Sequence, residues 1–341
     1  MHKPFIDSYL PELKQIEYLI DTSNGHLSHE IISHVTYQDI NLPIYALKLG
    51  ASDANLPCLC FVGGVHGLER IGTQVILAFL ESLLGRLSWD LSLNDLLKHL
   101  TILFIPLVNP VGVALHKRSN GNGVDLMRNA PIESTEATSF LVGGHRISSS
   151  LPWYRGKYGL KCETETLALT NYIQQHCFNR KFSVVLDCHS GFGLHDRIWF
   201  PYAKSKLKPI HHIGEMYHIR DLLFQAYPYQ NYIFEPQSLH YLCHGDIWDF
   251  LYDESLKLNT IFLPLTLEMG SWRWVRKNPA QLLKSLGLFH PIKPHRVKRV
   301  LRSHLVLMEF LMRLTVSYES WLDDGKSFNM AQKATQLWYG N

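Results

Sequence analysis

The residues best suited to chemistry are two histidines and a glutamate that stand next to apolar segments. His66 and Glu69 follow residues 58–62 and a Gly-Gly turn. A His and a Glu three apart at the start of a helix share one face, so both can turn toward one ion. His189 follows a second apolar segment, residues 182–187. Because two histidines and a glutamate are a common ligand set for catalytic zinc, these three residues predict a site for one Zn²⁺ ion.

The His-x-x-Glu spacing alone is weak evidence for a metal site. About one chance match is expected in a chain of this length with 19 histidines. His212 and Glu215 are such a second match, but they follow a lysine-rich segment instead of an apolar strand and a glycine turn. We therefore expect this second pair not to bind metal.

A polar loop, residues 118–129, carries two arginines that no apolar core requires, Arg118 and Arg128. The planar guanidinium of arginine suits carboxylates and developing oxyanions, so two arginines beside a metal indicate an anionic group on the substrate. Taken alone, the segment is explained equally well as a loop held by surface ion pairs.

Alternating strands and helices are predicted to bring these side chains together. Apolar runs predict buried strands at 58–62, 100–107, 182–187 and 260–268, and helical periodicity predicts helices at 10–20, 68–84, 164–175 and 297–321. This alternation favours an α/β fold, a mixed sheet with helices on both faces. In such sheets active sites form at the carboxyl ends of the strands, and Glu268 ends the last of them.

Composition restricts the kind of protein. The 341 residues are 46% hydrophobic and 18% charged with a net charge of +3, which gives no electrostatic case for nucleic acid. The chain has no long apolar segment for a membrane, and its six cysteines without a CxxC pair suit free thiols in the cytoplasm. We expect one catalytic domain at 41–325, preceded by an N-terminal embellishment at 1–40 and followed by a tail at 326–341.

Four ordered motifs resemble those of the zinc carboxypeptidases. After His-x-x-Glu, the segments 109–112, 118–120 and 123–129 are similar to the NPxG, RxN and GVDLNRN runs of that family. The surroundings of His189 and Glu268 are similar to its third-ligand motif and its base-bearing strand end. The resemblance implies the family's eight-stranded, twisted mixed sheet, a fold of the phosphorylase/hydrolase-like type.

The resemblance also implies roles around the metal. Asp125 would accept a hydrogen bond from the nitrogen of His66 that faces away from the ion. Glu268 would take a proton from the zinc-bound water and deliver it to the leaving amine. Arg118 would stabilise the oxyanion of the tetrahedral intermediate.

Further residues are implied to bind the substrate. Arg128 would hold its terminal carboxylate, with Asn120 of the RxN run beside it. Tyr241 fits the family's mobile tyrosine better than Tyr252 does. Met127 replaces the asparagine of GVDLNRN that helps to hold that carboxylate, so the match to the family is incomplete at this point.

Three functions remain open on the sequence. The preferred one is a metallocarboxypeptidase that cleaves the C-terminal peptide bond. The alternative is a zinc amidohydrolase of the succinylglutamate desuccinylase or aspartoacylase kind, which acts on small N-acyl amino acids. Met127 favours this alternative, whereas the Arg118-x-Asn120 run favours the peptidase. A binding protein without activity is least expected, because such a protein has no need for Glu268. The expected substrate in both enzymes carries a free carboxylate.

Overall fold

An eight-stranded mixed sheet forms the centre of the protein, in a computed structural model that describes residues 8–283, 286–322 and 324–340. Its order is β1-β2-β4-β3-β5-β8-β6-β7, and the central strands β4, β3, β5 and β8 are parallel. The strands are β1 (Ser28–Tyr37), β2 (Ile40–Gly50), β3 (Cys58–Gly63), β4 (Thr101–Ile105), β5 (Phe182–Ser190), β6 (Arg197–Phe200), β7 (Ile233–Pro236) and β8 (Ile261–Met269). The predicted mixed α/β sheet is confirmed.

Helices cover both faces of this sheet. In the described residues they are α1 (Pro11–Thr22), α2 (Arg70–Arg86), α3 (Leu91–Leu96), α4 (Pro110–Leu115), α5 (Thr164–Cys177), α6 (Ile213–Ala226), α7 (Ile247–Ser255), α8 (Trp272–Lys277), α9 (Pro294–Val316), α10 (Tyr318–Trp321) and α11 (Asp324–Trp338). Within this part of the chain, no helix combines the length and apolar character needed to cross a membrane.

Two apolar cores lie on the two sides of the sheet. In β3, Leu59 and Phe61 belong to the core under α2 and α9, whereas Cys58, Cys60 and Val62 belong to the core under α5 and α7. This division follows from the alternation of side chains along a strand. Because both faces are covered, the central strands are apolar throughout, which is why the sequence reveals them.

The strand register brings the chemical residues to one edge of the sheet. Gly63 of β3 pairs with Cys188 of β5, and His189 pairs with Glu268 of β8. Strand β5 is longer than predicted and includes His189, so this residue lies on the strand and not in the loop after it. The carboxyl ends of three parallel strands therefore meet at the candidate site.

The two terminal segments are built into the same fold. Residues of β1 pair with β2 along the edge of the sheet, although the sequence placed them in an N-terminal embellishment. Near the other end, α11 covers most of the segment predicted as a tail, and Ala334 and Trp338 are buried. The domain boundaries at residues 40 and 325 stay predictions.

Candidate metal centre

Three side chains converge where β3 and β5 end. The Nδ1 atoms of His66 and His189 each lie 2.9 Å from a different oxygen of the Glu69 carboxylate, and the two Nδ1 atoms are 3.2 Å apart. Glu69 precedes α2 directly, and a glycine turn after β3 allows the chain to enter that helix. In the part of the chain that the structure describes, these three residues form the one group of His, Cys, Asp and Glu side chains that could hold a metal ion.

The second nitrogen of each imidazole contacts a buried carboxylate. His66 Nε2 lies 3.0 Å from Asp125 Oδ1, and His189 Nε2 lies 2.7 Å from Asp187 Oδ2. In the neutral form of each imidazole, Nε2–H donates to this oxygen and leaves the Nδ1 lone pair free to bind a metal ion. Three electron-pair donors then face one point, and this nitrogen and oxygen set fits zinc.

Opposite charges keep the buried carboxylates of the centre ionised. Burial raises the pKa of Glu69, but the positive charge that His66 and His189 carry when protonated lowers it more, so the net pKa is below the ordinary value. Burial likewise raises the pKa of Asp125, and Arg118 together with His66 brings it well below its usual range. An ionised Glu69 is the form that binds a cation.

Glu268 lies beside the three ligands and has a different electrostatic environment. Its side chain is buried, and Oε1 accepts a hydrogen bond of 3.1 Å from the backbone N–H of Phe192. Burial raises the pKa of Glu268 to about 8, and the negative charge of Glu69 contributes to the increase. A carboxyl group with such a pKa can both accept and return a proton near neutral pH.

The two arginines of the polar loop differ in their contacts. Arg118 donates to Asp125 Oδ2 at 2.8 Å and to Glu69 Oε1 at 3.3 Å, so it is attached to the metal centre. Arg128 is buried and donates to the backbone oxygen of Met127, and its guanidinium lies 5.6 Å from the ring centroid of Tyr241. Among the described residues Arg128 forms no ion pair, which leaves its charge available to a ligand.

A cavity of about 480 Å³ lies beside the candidate metal ligands. Its polar lining includes the three candidate ligands together with Arg118, Arg128, Tyr241 and Glu268. Much of the remaining wall is aromatic, formed by Trp153, Phe192, Trp199, Trp272 and Phe289. The cavity lining is therefore charged beside the candidate metal ligands and largely apolar elsewhere.

The structure does not bring every predicted residue to the cavity. Asn120 is buried away from the lining, where its amide donates to the carboxylates of Glu163 and Glu165, so its position does not support substrate binding. Tyr252 is also buried elsewhere, with its hydroxyl 2.9 Å from His212 Nδ1. His212, which belongs to the second His-x-x-Glu match, therefore packs against Tyr252.

Sequence reasoning missed Asp187. Asp187 and His189 are two residues apart on one strand, so their side chains point to the same face. This two-residue spacing is the sequence feature that could have identified Asp187 as a partner of His189. The indole Nε1 of Trp248 also donates to Asp187 Oδ2, at 2.8 Å, and no spacing rule indicates that contact.

The fold and site together have the arrangement of a metal-dependent hydrolase. A family model described as zinc carboxypeptidase matches residues 20–269, and the chain belongs to this family. Zinc is the metal of the family, which confirms the predicted cofactor, and the cluster of His66, Glu69 and His189 could hold one ion.

Individual proteins give a more limited comparison. Carboxypeptidase SOL1 of Arabidopsis thaliana is 29% identical over 92 residues, which cover 26% of this chain and 19% of that protein. The structure of thrombin activatable fibrinolysis inhibitor has a TM-score of 0.67 and 21% identity, covering 89% of this chain and 72% of that one. Carboxypeptidase A of Helicoverpa armigera has a TM-score of 0.61 and 19% identity, covering 93% and 74%. At these identities the solved structures show a shared fold.

Proposed function

We propose that this chain is a metallocarboxypeptidase that removes the C-terminal residue from peptides with a free carboxylate. The observation that carries the proposal is one cavity that is lined by the three candidate ligands, by Glu268 with its raised pKa, and by Arg128, which forms no ion pair with the described residues. Membership of the zinc carboxypeptidase family supports the same reaction.

Proton transfer is assigned to Glu268. A zinc ion held by His66, Glu69 and His189 would polarise the scissile carbonyl and lower the pKa of water. The carboxylate of Glu268 accepts the proton of the attacking water and returns it to the nitrogen of the leaving amine. The raised pKa of Glu268 supports this double role, because neither protonation state is strongly favoured near neutral pH.

The arginines are assigned to the two negative charges of the reaction. Arg118 lies against Glu69 and lines the cavity, so it would stabilise the oxyanion that develops at the carbonyl. Arg128 would bind the terminal carboxylate, and Tyr241 would close over it. Asp125 keeps both His66 and Arg118 in place.

Two further assignments concern the substrate class and the compartment. Neither the family match nor the similar structures favour hydrolysis of N-acyl amino acids. The cytoplasm stays the proposed compartment, and the six free cysteines support a reducing environment.

The proposal is tested by turnover on matched substrate pairs. Short peptides with a free and with an amidated C-terminus are incubated with the zinc-loaded protein, next to a set of N-acyl amino acids, and Glu268→Gln serves as the blank. We expect release of C-terminal residues from the free peptides alone. Cleavage of only the N-acyl amino acids, or equal cleavage of free and amidated peptides, would refute a carboxypeptidase.

A further inference from the structure

A hydrogen-bonded chain links helix α7 to one of the candidate metal ligands. Trp248 Nε1–H donates to Asp187 Oδ2 at 2.8 Å, and the same oxygen lies 2.7 Å from His189 Nε2. All three side chains are buried. The indole therefore contacts the carboxylate that sets the orientation of His189.

The carboxylate of Asp187 has few other partners. Its side chain is fully buried, and its Oδ1 atom accepts no hydrogen bond from the described residues. Asp125, which plays the same part for the other histidine, is held by Arg118 and by the backbone N–H of Met127 at 3.1 Å. In the part of the chain that the structure describes, the donors to the Asp187 side chain are His189 and the Trp248 indole.

The indole is carried on a rigid part of the fold. Asp246 Oδ1 caps α7 by accepting from the backbone N–H of Trp248 at 2.9 Å and of Asp249 at 3.0 Å. Just before it, the backbone of Gly245 exchanges hydrogen bonds with Ala130 and Ile132. A donor on such a fixed element determines where its acceptor lies.

We propose that Trp248 is a positioning residue for the metal centre. Its N–H fixes the Asp187 carboxylate, and this carboxylate holds His189 with Nδ1 directed at Glu69. Without the indole donor, the carboxylate can rotate away from His189, and the ligand loses its fixed orientation. The inference rests on the proposed zinc site, since its effect is on the binding of that ion.

The first test is the zinc affinity of Trp248→Phe. This variant keeps an aromatic ring and loses the donor, and affinity is measured on the metal-free protein by competition with a chromophoric chelator. We expect a loss of about tenfold, the lower end of the effect of removing a group that is hydrogen-bonded directly to a metal ligand. Trp338→Phe is the matched control, because Trp338 is also buried and donates to a backbone oxygen, that of Phe234. It should keep the affinity of the unmodified protein.

A double-mutant comparison separates positioning from general damage to the fold. If Trp248 acts through Asp187, then Trp248→Phe causes no further loss of zinc affinity in an Asp187→Asn background. The same loss in both backgrounds, or an affinity equal to that of Trp338→Phe, would overturn the proposal. Should Trp248→Phe not fold, incorporation of benzothienylalanine at position 248 replaces the N–H by sulfur with little change in shape, and the same loss is expected.

The failure of this inference differs from the failure of the proposed function. If Trp248 has no positioning role, the unmodified protein still binds zinc and cleaves peptides, and only the Trp248→Phe result changes. If the unmodified protein takes up no zinc, the metal site and the positioning role are both wrong.

Discussion

At the scale of single residues, most charges around the metal centre are compensated by a neighbour. Glu69 lies between two histidines, and Asp125 lies between His66 and Arg118. Among the carboxylates Glu268 is the exception, because in the described residues it accepts one hydrogen bond, from the backbone N–H of Phe192. This difference explains why the pKa of Glu268 rises whereas the pKa of Glu69 falls, although both are buried.

Replacement of Glu268 by glutamine should remove catalysis and leave the metal in place. Glutamine has a similar shape but cannot accept the proton, so we expect kcat to fall by a factor of about 10² to 10⁴. Zinc content, measured on the same sample, should equal that of the unmodified protein. Normal turnover in Glu268→Gln would exclude this residue as the base.

The activity should rise with pH through the ionisation of Glu268. A base must be ionised to accept a proton, and burial raises the pKa of this carboxyl group to about 8. A bound cation favours the ionised form, so the acid limb of kcat/KM is expected below pH 8. The limb is measured with amino-terminally blocked peptides, which do not titrate in this range. A rate that increases as the pH falls would contradict the assignment.

Asn120 should affect stability more than catalysis. Its amide joins the loop before Asp125 to Glu163 and Glu165 at the start of α5, so Asn120→Ala leaves buried polar groups without partners. We expect a loss of about 1–3 kcal/mol in the free energy of unfolding, measured with denaturant.

The exposed Asn122, which also contacts Glu163, provides the control. Asn122→Ala should change stability by less than about 0.5 kcal/mol. A KM increase confined to free-carboxylate peptides in Asn120→Ala would instead support the predicted substrate role of Asn120.

The sequence predicts that the three candidate ligands lie close together, and they do. The prediction was possible because each of them lies in or next to an apolar strand. Asp187 and Trp248 show its limit, since their contact joins positions 61 residues apart. Asn120 shows another limit. An asparagine suits both substrate binding and loop attachment, and only the three-dimensional position of its partners distinguishes the two.

At the scale of elements, the close approach of α2 to β5 is required by the site. A Cβ atom added at Gly72 would lie 2.1 Å from the backbone oxygen of Cys188, the residue before His189. Gly72 lies three residues after Glu69, so the helix that follows this ligand approaches the strand that carries His189 most closely where no side chain intervenes. A larger residue would have to separate α2 from β5.

Gly72→Ala should therefore damage both the fold and the metal site. We expect destabilisation of more than about 1 kcal/mol, because the added methyl group meets backbone that cannot move freely, and a weaker affinity for zinc. Gly85 lies in the same helix with open space around it, so Gly85→Ala should stabilise the protein by up to about 1 kcal/mol. Thermal unfolding and zinc competition of both variants test this. Equal behaviour of the two would show that the approach is not tight.

Prediction of elements from the sequence succeeded where strands are buried on both sides. The apolar runs that predicted β3, β5 and β8 reflect two covered faces. The edge strand β1 is largely exposed and carries polar residues, so it lacks such a run. Helix α11 was missed because its sequence is polar outside a few contact positions such as Ala334 and Trp338.

At the scale of the whole molecule, a bound ion would connect segments that lie far apart in the chain. His66 and Glu69 lie in the turn between β3 and α2, and His189 lies on β5, which pairs with β3 in the sheet. A ligand that binds only the folded state stabilises it by mass action. The stability of the protein should therefore depend on zinc.

Removal of zinc by a chelator should lower the thermal unfolding temperature. At a free zinc concentration of about 100 times Kd, the stabilisation is about 2.7 kcal/mol. The His189→Ala variant is the control, because it lacks one ligand and should unfold at the same temperature with and without chelator. An unfolding temperature of the unmodified protein that does not respond to chelator or to added zinc would contradict a metal site.

The most direct test of the account is a zinc titration of activity. Metal-free protein is mixed with increasing amounts of zinc, and release of the C-terminal residue from one free-carboxylate peptide is measured at each step. The expected result is a rate that increases linearly up to one equivalent of zinc and then stays constant, with no such increase in His66→Ala. Full activity without metal, or the same titration curve in His66→Ala, would contradict it.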